Sequence, residues 1–242
     1  MWFHLIWSAV IGTCVFFSLH TAHPSTDSPK YQFLSPQKFP VTPELEKRVQ
    51  FWQKVFGEWD ENTVVLHDEE FPHVIYTSVD LTKETLEDHF HYPNLPKRIL
   101  PQAQEKVSHI LEALRKNHLF SNIESEKRFN QLIEKHHEIY TKLYQLPSKE
   151  RWKTRPLRWQ FGLKNRLHQA IKTSRIYRPD IMQVLRSYGV PAELFCLTFV
   201  ESLFTQTIES SAGAVGIWQL MPFTASPHLA IHDLLDERKD PI

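Results

Sequence analysis

The stretch ESLFTQTIESSAGAVGIWQLMPFTA, residues 201–225, decides how the fold is interpreted. It begins with Glu201, which follows Leu194 and Leu197 by seven and four positions on a helix predicted over residues 191–204. These spacings place the carboxyl on the apolar face of that helix. Burial raises the pKa of a carboxyl, as a general acid working near neutral pH requires. The alternative is a structural glutamate at the helix edge, paired with an arginine.

A run of small residues follows this acid and leads to a glutamine. The small residues of 212–216, which include Gly213 and Gly216, permit tight turns and close approach of a ligand to the backbone. Gln219 can both donate and accept hydrogen bonds, which suits sugar hydroxyls and N-acetyl groups. The residues alone therefore predict a polar cleft beside a single acid.

The same stretch resembles the lytic transglycosylases that carry an SLT, or soluble-transglycosylase, catalytic domain. The family pattern is Glu-Ser, followed at fixed spacing by Ser, Ala-Gly-Ala-x-Gly-x-x-Gln-x-Met-Pro and Thr-Ala. The matching residues are Glu201, Ser202, Ser210, Ala212, Gly213, Ala214, Gly216, Gln219, Met221, Pro222, Thr224 and Ala225. Residues 236–241 are similar to the next block of the family. Trp218 beside Gln219, together with residues 189–194 and an export signal, resembles the branch of membrane-bound murein transglycosylase D.

The resemblance implies a peptidoglycan lytic transglycosylase, a carbon–oxygen lyase acting on a polysaccharide. Its substrate bond would be the β-1,4 bond between N-acetylmuramic acid and N-acetylglucosamine. Glu201 would be the single catalytic residue, first as general acid and then as base. The C6 hydroxyl of the substrate would be the nucleophile, so the product would be a 1,6-anhydromuramyl end and no second protein carboxylate is required.

The resemblance also implies which residues bind the substrate. Ser210, Gln219 and Met221 match positions that line the saccharide subsites, and Ser202 would support the hydrogen bonding of Glu201 beside them. No cofactor and no metal ion is implied. The carboxylates that follow are expected to cap helices and form salt bridges rather than to supply a second catalytic group; they are Asp236, Glu237 and Asp240.

The chain divides into four predicted segments. Residues 1–22 form a signal peptide or a membrane anchor, because the apolar run at 5–19 has the length of a secretory h-region. Residues 23–43 form a linker rich in Pro, Ser and Thr, and residues 44–159 a mostly helical region with a small β-hairpin. Residues 160–242 form a lysozyme-like catalytic domain, of which the N-terminal part alone is expected, since the family's domain continues with further helices.

The fold class predicted from these segments is mainly α. The predicted elements before the catalytic domain are an amphipathic helix from Pro43 to Gly57, a hairpin of Val64–Leu66 with Val74–Tyr76, and helices over about 102–117 and 124–145 after Pro101.

Composition limits the function further. The 28 Lys and Arg residues balance the 28 Asp and Glu residues, which argues against a nucleic-acid partner. The charges are segregated, since residues 58–88 carry ten acidic residues and one lysine, and residues 149–186 carry eleven basic and two acidic residues. The basic stretch could meet an anionic polymer, but a role complementing the acidic stretch within the molecule is favoured.

The 14 histidines lack the spacing of a metal site, and the two cysteines exclude a disulfide scaffold.

Three functions stay open at this stage. The leading hypothesis is a monomeric transglycosylase, exported to the periplasm, that acts on peptidoglycan glycan strands and associates with the membrane where its N-terminus is not cleaved. The second is an inactive, truncated remnant that binds glycan or a protein partner. The third keeps the fold but hydrolyses the bond with water, as goose-type lysozymes do.

Overall fold

The computed structural model describes residues 42–82, 95–119, 122–232 and 234–242. The predicted signal or anchor, residues 1–22, lies outside these ranges, as does the linker up to residue 41. None of the described helices combines the length and the apolar character needed to span a membrane.

The described chain is mainly helical with a small antiparallel sheet, as the sequence predicted. The helices are α1 (Pro43–Gly57), α2 (Leu95–Asn117), α3 (Ile123–Lys135), α4 (His137–Leu143), α5 (Lys164–Ser174), α6 (Arg178–Ser187), α7 (Leu197–Ser202) and α8 (Pro222–Ala225). The strands are β1 (Thr63–Asp68), β2 (Ile75–Asp80), β3 (Leu157–Phe161), β4 (Ile231–His232) and β5 (Leu235–Asp236). Short 3-10 helices cover Ala192–Cys196 and Glu237–Lys239. These elements form two compact units, one made of Trp59–Gly162 and the other of the described residues to Glu58 together with Leu163–Ile242.

The sheet of the unit Trp59–Gly162 has the order β2-β1-β3, and both pairings are antiparallel. The hairpin of β1 and β2 is confirmed, and Val64 pairs with Val79 across it. The third strand, β3, was not predicted, since its identity comes from the distant partner β1, which Phe161 meets at Val64. The core below the sheet consists of Leu66, Phe71, Val74, Tyr76, Val107, Ile110, Leu111, Leu114, Phe129, Leu143 and Leu146.

A buried arginine joins the acidic and basic stretches within this unit. Arg155 is 8% exposed, and its Nε and Nη2 lie 2.7 and 3.1 Å from the two carboxylate oxygens of Asp68. Its other contacts are with Glu70, at 2.5 Å, and Glu150, at 3.1 Å. Arg155 thus pairs a residue of the basic stretch with Asp68 and Glu70 of the acidic stretch, through a buried contact rather than a solvated helix face.

The helices of this unit depart from the predicted boundaries. Helix α2 begins at Leu95 rather than near 102 and carries Pro101 inside it. A proline there removes one helical hydrogen bond, but burial of the α2 face that contains Leu111 and Leu114 holds the helix together. The predicted helix 124–145 is interrupted at His136, whose φ of −126° and ψ of 35° are not helical.

The second unit contains helix α1 together with the chain from Leu163 onward. Thr42 caps α1, which starts at Pro43 and ends at Gly57 as predicted. The amide of Leu163 donates a 2.7 Å hydrogen bond to the carbonyl of Val55. Helix α1, which the sequence places in segment 44–159, therefore shares a core with the later residues. The buried members of that core are Phe56, Leu167, Ala170, Ile181, Phe195, Phe199, Phe204 and Ile217.

Candidate active site

The helix that carries Glu201 is shorter than predicted. A 3-10 helix covers Ala192–Cys196, and α7 occupies only Leu197–Ser202. Tight turns of this kind are common where an α-helix starts. The next two residues, Leu203 and Phe204, have φ values of 49° and 56°, in the left-handed region that side chains disfavour. Burial of Phe204 among the core aromatic rings holds this turn, which reverses the chain directly after the Glu-Ser pair.

Glu201 lies beside the buried face of α7 rather than on it. The buried face is formed by Thr198, Phe199 and Ser202, while Glu201 is half-buried, like Leu197 on its own side of the helix. Loss of water through burial raises the pKa of the Glu201 carboxyl. Among the described residues none forms an ion pair or hydrogen bond with this carboxylate, which disfavours the alternative of a structural pair with an arginine.

The hydroxyl of Ser202 is used inside the protein. Its Oγ lies 2.9 Å from the carbonyl oxygen of Thr198 and 3.0 Å from that of Ile217, and it can donate to one of them at a time. The amide of Thr205 donates to the same Oγ at 3.3 Å. Ser202, which follows Glu201 in the chain, therefore connects α7 to Ile217, two residues before Gln219.

Ser210 closes the turn that opens the glycine-containing loop. Its amide donates to the carbonyl of Ala214, and its Oγ accepts a 3.0 Å hydrogen bond from the Ala214 amide. Gly213 has a φ of 83° and Gly216 a φ of 79°, a region that glycine alone enters freely. Gly213 and Gly216 therefore permit the tight turns that the sequence predicted for these small residues.

Gln219 is oriented by the same loop. Its φ is 47°, and its Nε2 donates to the carbonyl of Gly216 at 2.9 Å and to that of Ile208 at 3.4 Å. No described residue donates a hydrogen bond to its Oε1. The side chain thus has its donor engaged in the protein and its acceptor free for a ligand hydroxyl or N–H. Met221 is half-buried at the start of α8.

Arg238, which belongs to the block 236–241 but was given no role from the sequence, contacts this loop. Arg238 is 7% exposed, and its Nε and Nη2 form hydrogen bonds of 2.8 Å with the carboxylate of Asp236. Its Nη1 donates to the carbonyl oxygens of Gly213, at 2.9 Å, and Leu220, at 3.2 Å. The spacing of residues 236–238 gives no signal for this role, because the contacts depend on how the loop 213–220 folds.

Of the three carboxylates at residues 236–240, Asp236 has the capping and pairing role that the sequence predicted, while Glu237 and Asp240 each accept a hydrogen bond from a backbone amide. Asp236 accepts a hydrogen bond from the amide of Arg238 and pairs with its guanidinium, while Glu237 accepts one from the amide of Ala230. Asp240 accepts a hydrogen bond from the amide of Ile242. In the described part of the chain no three His, Cys, Asp or Glu side chains are grouped as a metal ion would need.

Residues 181–242 match the family model described as the transglycosylase SLT domain. Glu201, Ser202, Ser210, Gln219 and Met221 all fall inside the matched range. No curated protein and no solved structure matches the chain. Across the matched residues the chain therefore resembles the lytic transglycosylases, and the match is consistent with a lysozyme-like fold. It supports an enzyme of the transglycosylase type with peptidoglycan as substrate.

Proposed function

We propose that this chain is a peptidoglycan lytic transglycosylase of the membrane-bound murein transglycosylase D type. It cleaves the β-1,4 bond between N-acetylmuramic acid and N-acetylglucosamine and leaves a 1,6-anhydromuramyl end. The observation that carries the proposal is the environment of Glu201, a half-buried carboxyl with a raised pKa and no protein partner among the described residues, inside the SLT match.

Glu201 supplies both proton transfers in this reaction. As a protonated acid it gives its proton to the glycosidic oxygen, so that the leaving sugar departs as an alcohol. The resulting carboxylate then takes the proton from the C6 hydroxyl of the muramyl residue while that oxygen bonds to C1. The reaction consumes no water and returns Glu201 to its protonated form. A raised pKa favours the first step, because the carboxyl keeps its proton closer to neutral pH.

The loop after α7 provides contacts for the glycan. Gln219 presents Oε1 as an acceptor, and the hydrogen bonds from its Nε2 fix the orientation of the amide. Ser210 shapes the turn that leads into the loop, and Met221 offers apolar surface where α8 begins. Ser202 supports the site from inside by joining α7 to this loop.

The test is a comparison of Glu201→Gln with the unchanged chain on purified murein sacculi. Glutamine keeps the shape but cannot transfer the proton, so release of muropeptides should fall by about 10²–10⁴-fold, the usual contribution of a general acid. Mass spectrometry of the released material should show anhydromuramyl ends from the unchanged chain. Asp180→Asn, which removes an exposed acid from α6, is the matched control and should leave activity unchanged.

The products also separate the competing functions. Reducing ends in place of anhydro ends would assign a hydrolase that uses water. Retention of the chain on sacculi without any release would assign a non-catalytic glycan-binding protein. Activity that persisted unchanged in Glu201→Gln would overturn the proposed role of this residue.

The proposed site of action is the periplasm, reached through the apolar segment at residues 5–19. Peptidoglycan lies in that compartment, so a transglycosylase must be exported to meet it. The proposed enzyme acts as a monomer, with membrane association where the segment is retained. Cell fractionation of the full chain should find it in the periplasmic or membrane fraction, and a purely cytosolic location would contradict export.

A further inference from the structure

Arg238 holds both ends of the loop that bears Gln219 with a single nitrogen atom. Its Nη1 contacts the carbonyl oxygens of Gly213 and Leu220, which stand on either side of residues 214–219. The remaining guanidinium nitrogens bind the Asp236 carboxylate in a two-point contact. Asp236 thus fixes the plane of the guanidinium, and the guanidinium in turn fixes the separation of the loop ends.

The backbone of Arg238 also supports this loop. A Cβ atom placed on Gly216 would lie 1.9 Å from the carbonyl oxygen of Arg238, so the two backbones are in close contact. The loop is therefore held by the side chain at its ends and by the main chain near its middle. In this loop Gln219 has a left-handed φ of 47°, a conformation that costs free energy for a residue with a side chain. It persists because the surrounding contacts hold the backbone in place.

We propose that Arg238 is a positioning residue that sets the position of Gln219 for glycan binding, paired with Asp236 as its orienting partner. This inference rests on the proposed function, since it assumes that Gln219 contacts the glycan. Arginine suits the role because its planar group can bind a carboxylate at two points and still donate to two carbonyls. Lysine keeps the positive charge but lacks the planar guanidinium with its several N–H donors. Arg238→Lys therefore tests whether the hydrogen-bond geometry matters in addition to the charge.

The test is steady-state kinetics of the full chain on solubilised peptidoglycan, with Arg238→Lys as the variant. We expect KM to rise about tenfold, the size of losing one neutral hydrogen bond, because Gln219 is displaced from the glycan. We expect kcat and the basic limb of the pH profile to stay unchanged, because Glu201 belongs to α7. Arg186→Lys, the same exchange on the exposed surface of α6, should alter neither quantity.

A second variant keeps the inference testable if Arg238→Lys does not fold. Asp236→Asn leaves Arg238 in place but weakens its orientation, and a smaller rise in KM with an unchanged kcat is expected. Unchanged KM in a folded variant overturns the inference. A fall in kcat that follows the loss of folded protein, with KM unchanged, also overturns it, because that is the result of a purely structural role.

Calorimetric titration with the hexamer of N-acetylglucosamine separates this inference from the proposed function. If the unchanged chain releases nothing from peptidoglycan but binds the hexamer, the enzymatic proposal fails. The positioning role then stands if Arg238→Lys raises the Kd about tenfold, and it fails if the Kd is the same. Absence of both release and hexamer binding in the unchanged chain overturns both proposals.

Discussion

At the scale of the residue, the ionisation of Glu201 connects the stability of the chain with the catalytic role proposed for this carboxyl. Burial raises its pKa above the value that it has in the unfolded chain, so the folded state binds the proton more tightly. Between these two pKa values the folded chain carries more protons than the unfolded chain. The stability that this carboxyl contributes is therefore fully present at acidic pH, below its unfolded pKa, and is lost as pH rises through its folded pKa.

Glu201→Gln should remove this dependence on pH. We expect the free energy of unfolding of the variant to increase relative to that of the unchanged chain as pH rises from about 4 towards 7, since only the unchanged chain loses the contribution of the protonated carboxyl. Urea unfolding at several pH values measures the difference. A difference that stays constant over the whole range would show that the carboxyl is not desolvated in the folded protein.

Two glycines of the loop allow backbone strain to be distinguished from steric conflict. Both have positive φ, but a Cβ on Gly213 meets nothing within 4 Å, whereas one on Gly216 meets the carbonyl oxygen of Arg238. Gly213→Ala should therefore cost about 1–2 kcal/mol of stability, from the left-handed backbone alone. Gly216→Ala should cost clearly more and impair activity, because either the loop or residues 238–239 must move. Thermal unfolding of both variants measures this, and equal losses would contradict the close packing.

The sequence contained enough information to propose Glu201 as the acid but not Arg238 as the residue that holds the Gln219 loop. Glu201 is recognisable because the residues around it follow a dense local pattern. Arg238 contacts carbonyl oxygens of Gly213 and Leu220, and a backbone carbonyl has no signature in the sequence. The sequence also predicted Glu201 on the apolar face of the helix, whereas the structure places it beside that face. The reason is the 3-10 helix before α7, whose different number of residues per turn changes the angle between Leu194 and Glu201 around the helix axis.

At the scale of the element, Arg155 connects the end of β1 to the start of β3. Asp68 ends β1 and also accepts hydrogen bonds from the amides of Glu70 and Phe71, so its carboxylate orders the turn as well.

The strand β3 was not predicted, because its partner strand is distant in the sequence. Its five residues pair with β1, which lies far away in the sequence, and no local pattern reveals that pairing. The hairpin of β1 and β2 was predictable because its partners are close together in the chain.

Removal of this arginine tests how much the connection contributes. Arg155→Met should destabilise the unit Trp59–Gly162 by about 3–5 kcal/mol, since it leaves the fully buried carboxylate of Asp68 without its cation. Lys116→Met is the matched control, because Lys116 forms an exposed pair with Glu112 in the same unit that contributes at most about 1 kcal/mol. Urea unfolding of both variants provides the comparison. Equal effects would mean that burial of the Arg155 pair adds nothing to stability.

At the scale of the whole molecule, one compact unit is built from two separate parts of the chain. Helix α1 precedes Trp59–Gly162 and residues 163–242 follow it, yet Phe56 is buried with Leu167 in a single core. Patterns along the sequence predicted the start and end of α1 but not its partner. Hydrophobic periodicity identifies the apolar face of a helix and carries no information about which distant surface covers that face.

The contribution of α1 can be measured by truncating one side chain. Phe56→Ala should cost about 3–5 kcal/mol of stability, because it removes a buried ring and leaves a cavity against α5. Phe223→Ala removes the same group from a position that is 75% exposed and should change stability by at most about 0.5 kcal/mol. Thermal or urea unfolding of the two variants measures both losses of stability. A small effect at Phe56 would show that α1 is not needed by this core.

The separation in sequence between α1 and the residues that cover it affects how the nascent chain folds on the ribosome. Helix α1 is synthesised first, and all of Trp59–Gly162 must follow before α5 exists to cover Phe56. At about 5–20 residues per second, translation leaves this apolar face without its cover for about 5–20 seconds. During that interval the intervening unit can finish its own folding, while α1 is open to binding by chaperones. The order of synthesis thus leaves the apolar face of α1 exposed until α5 has been made.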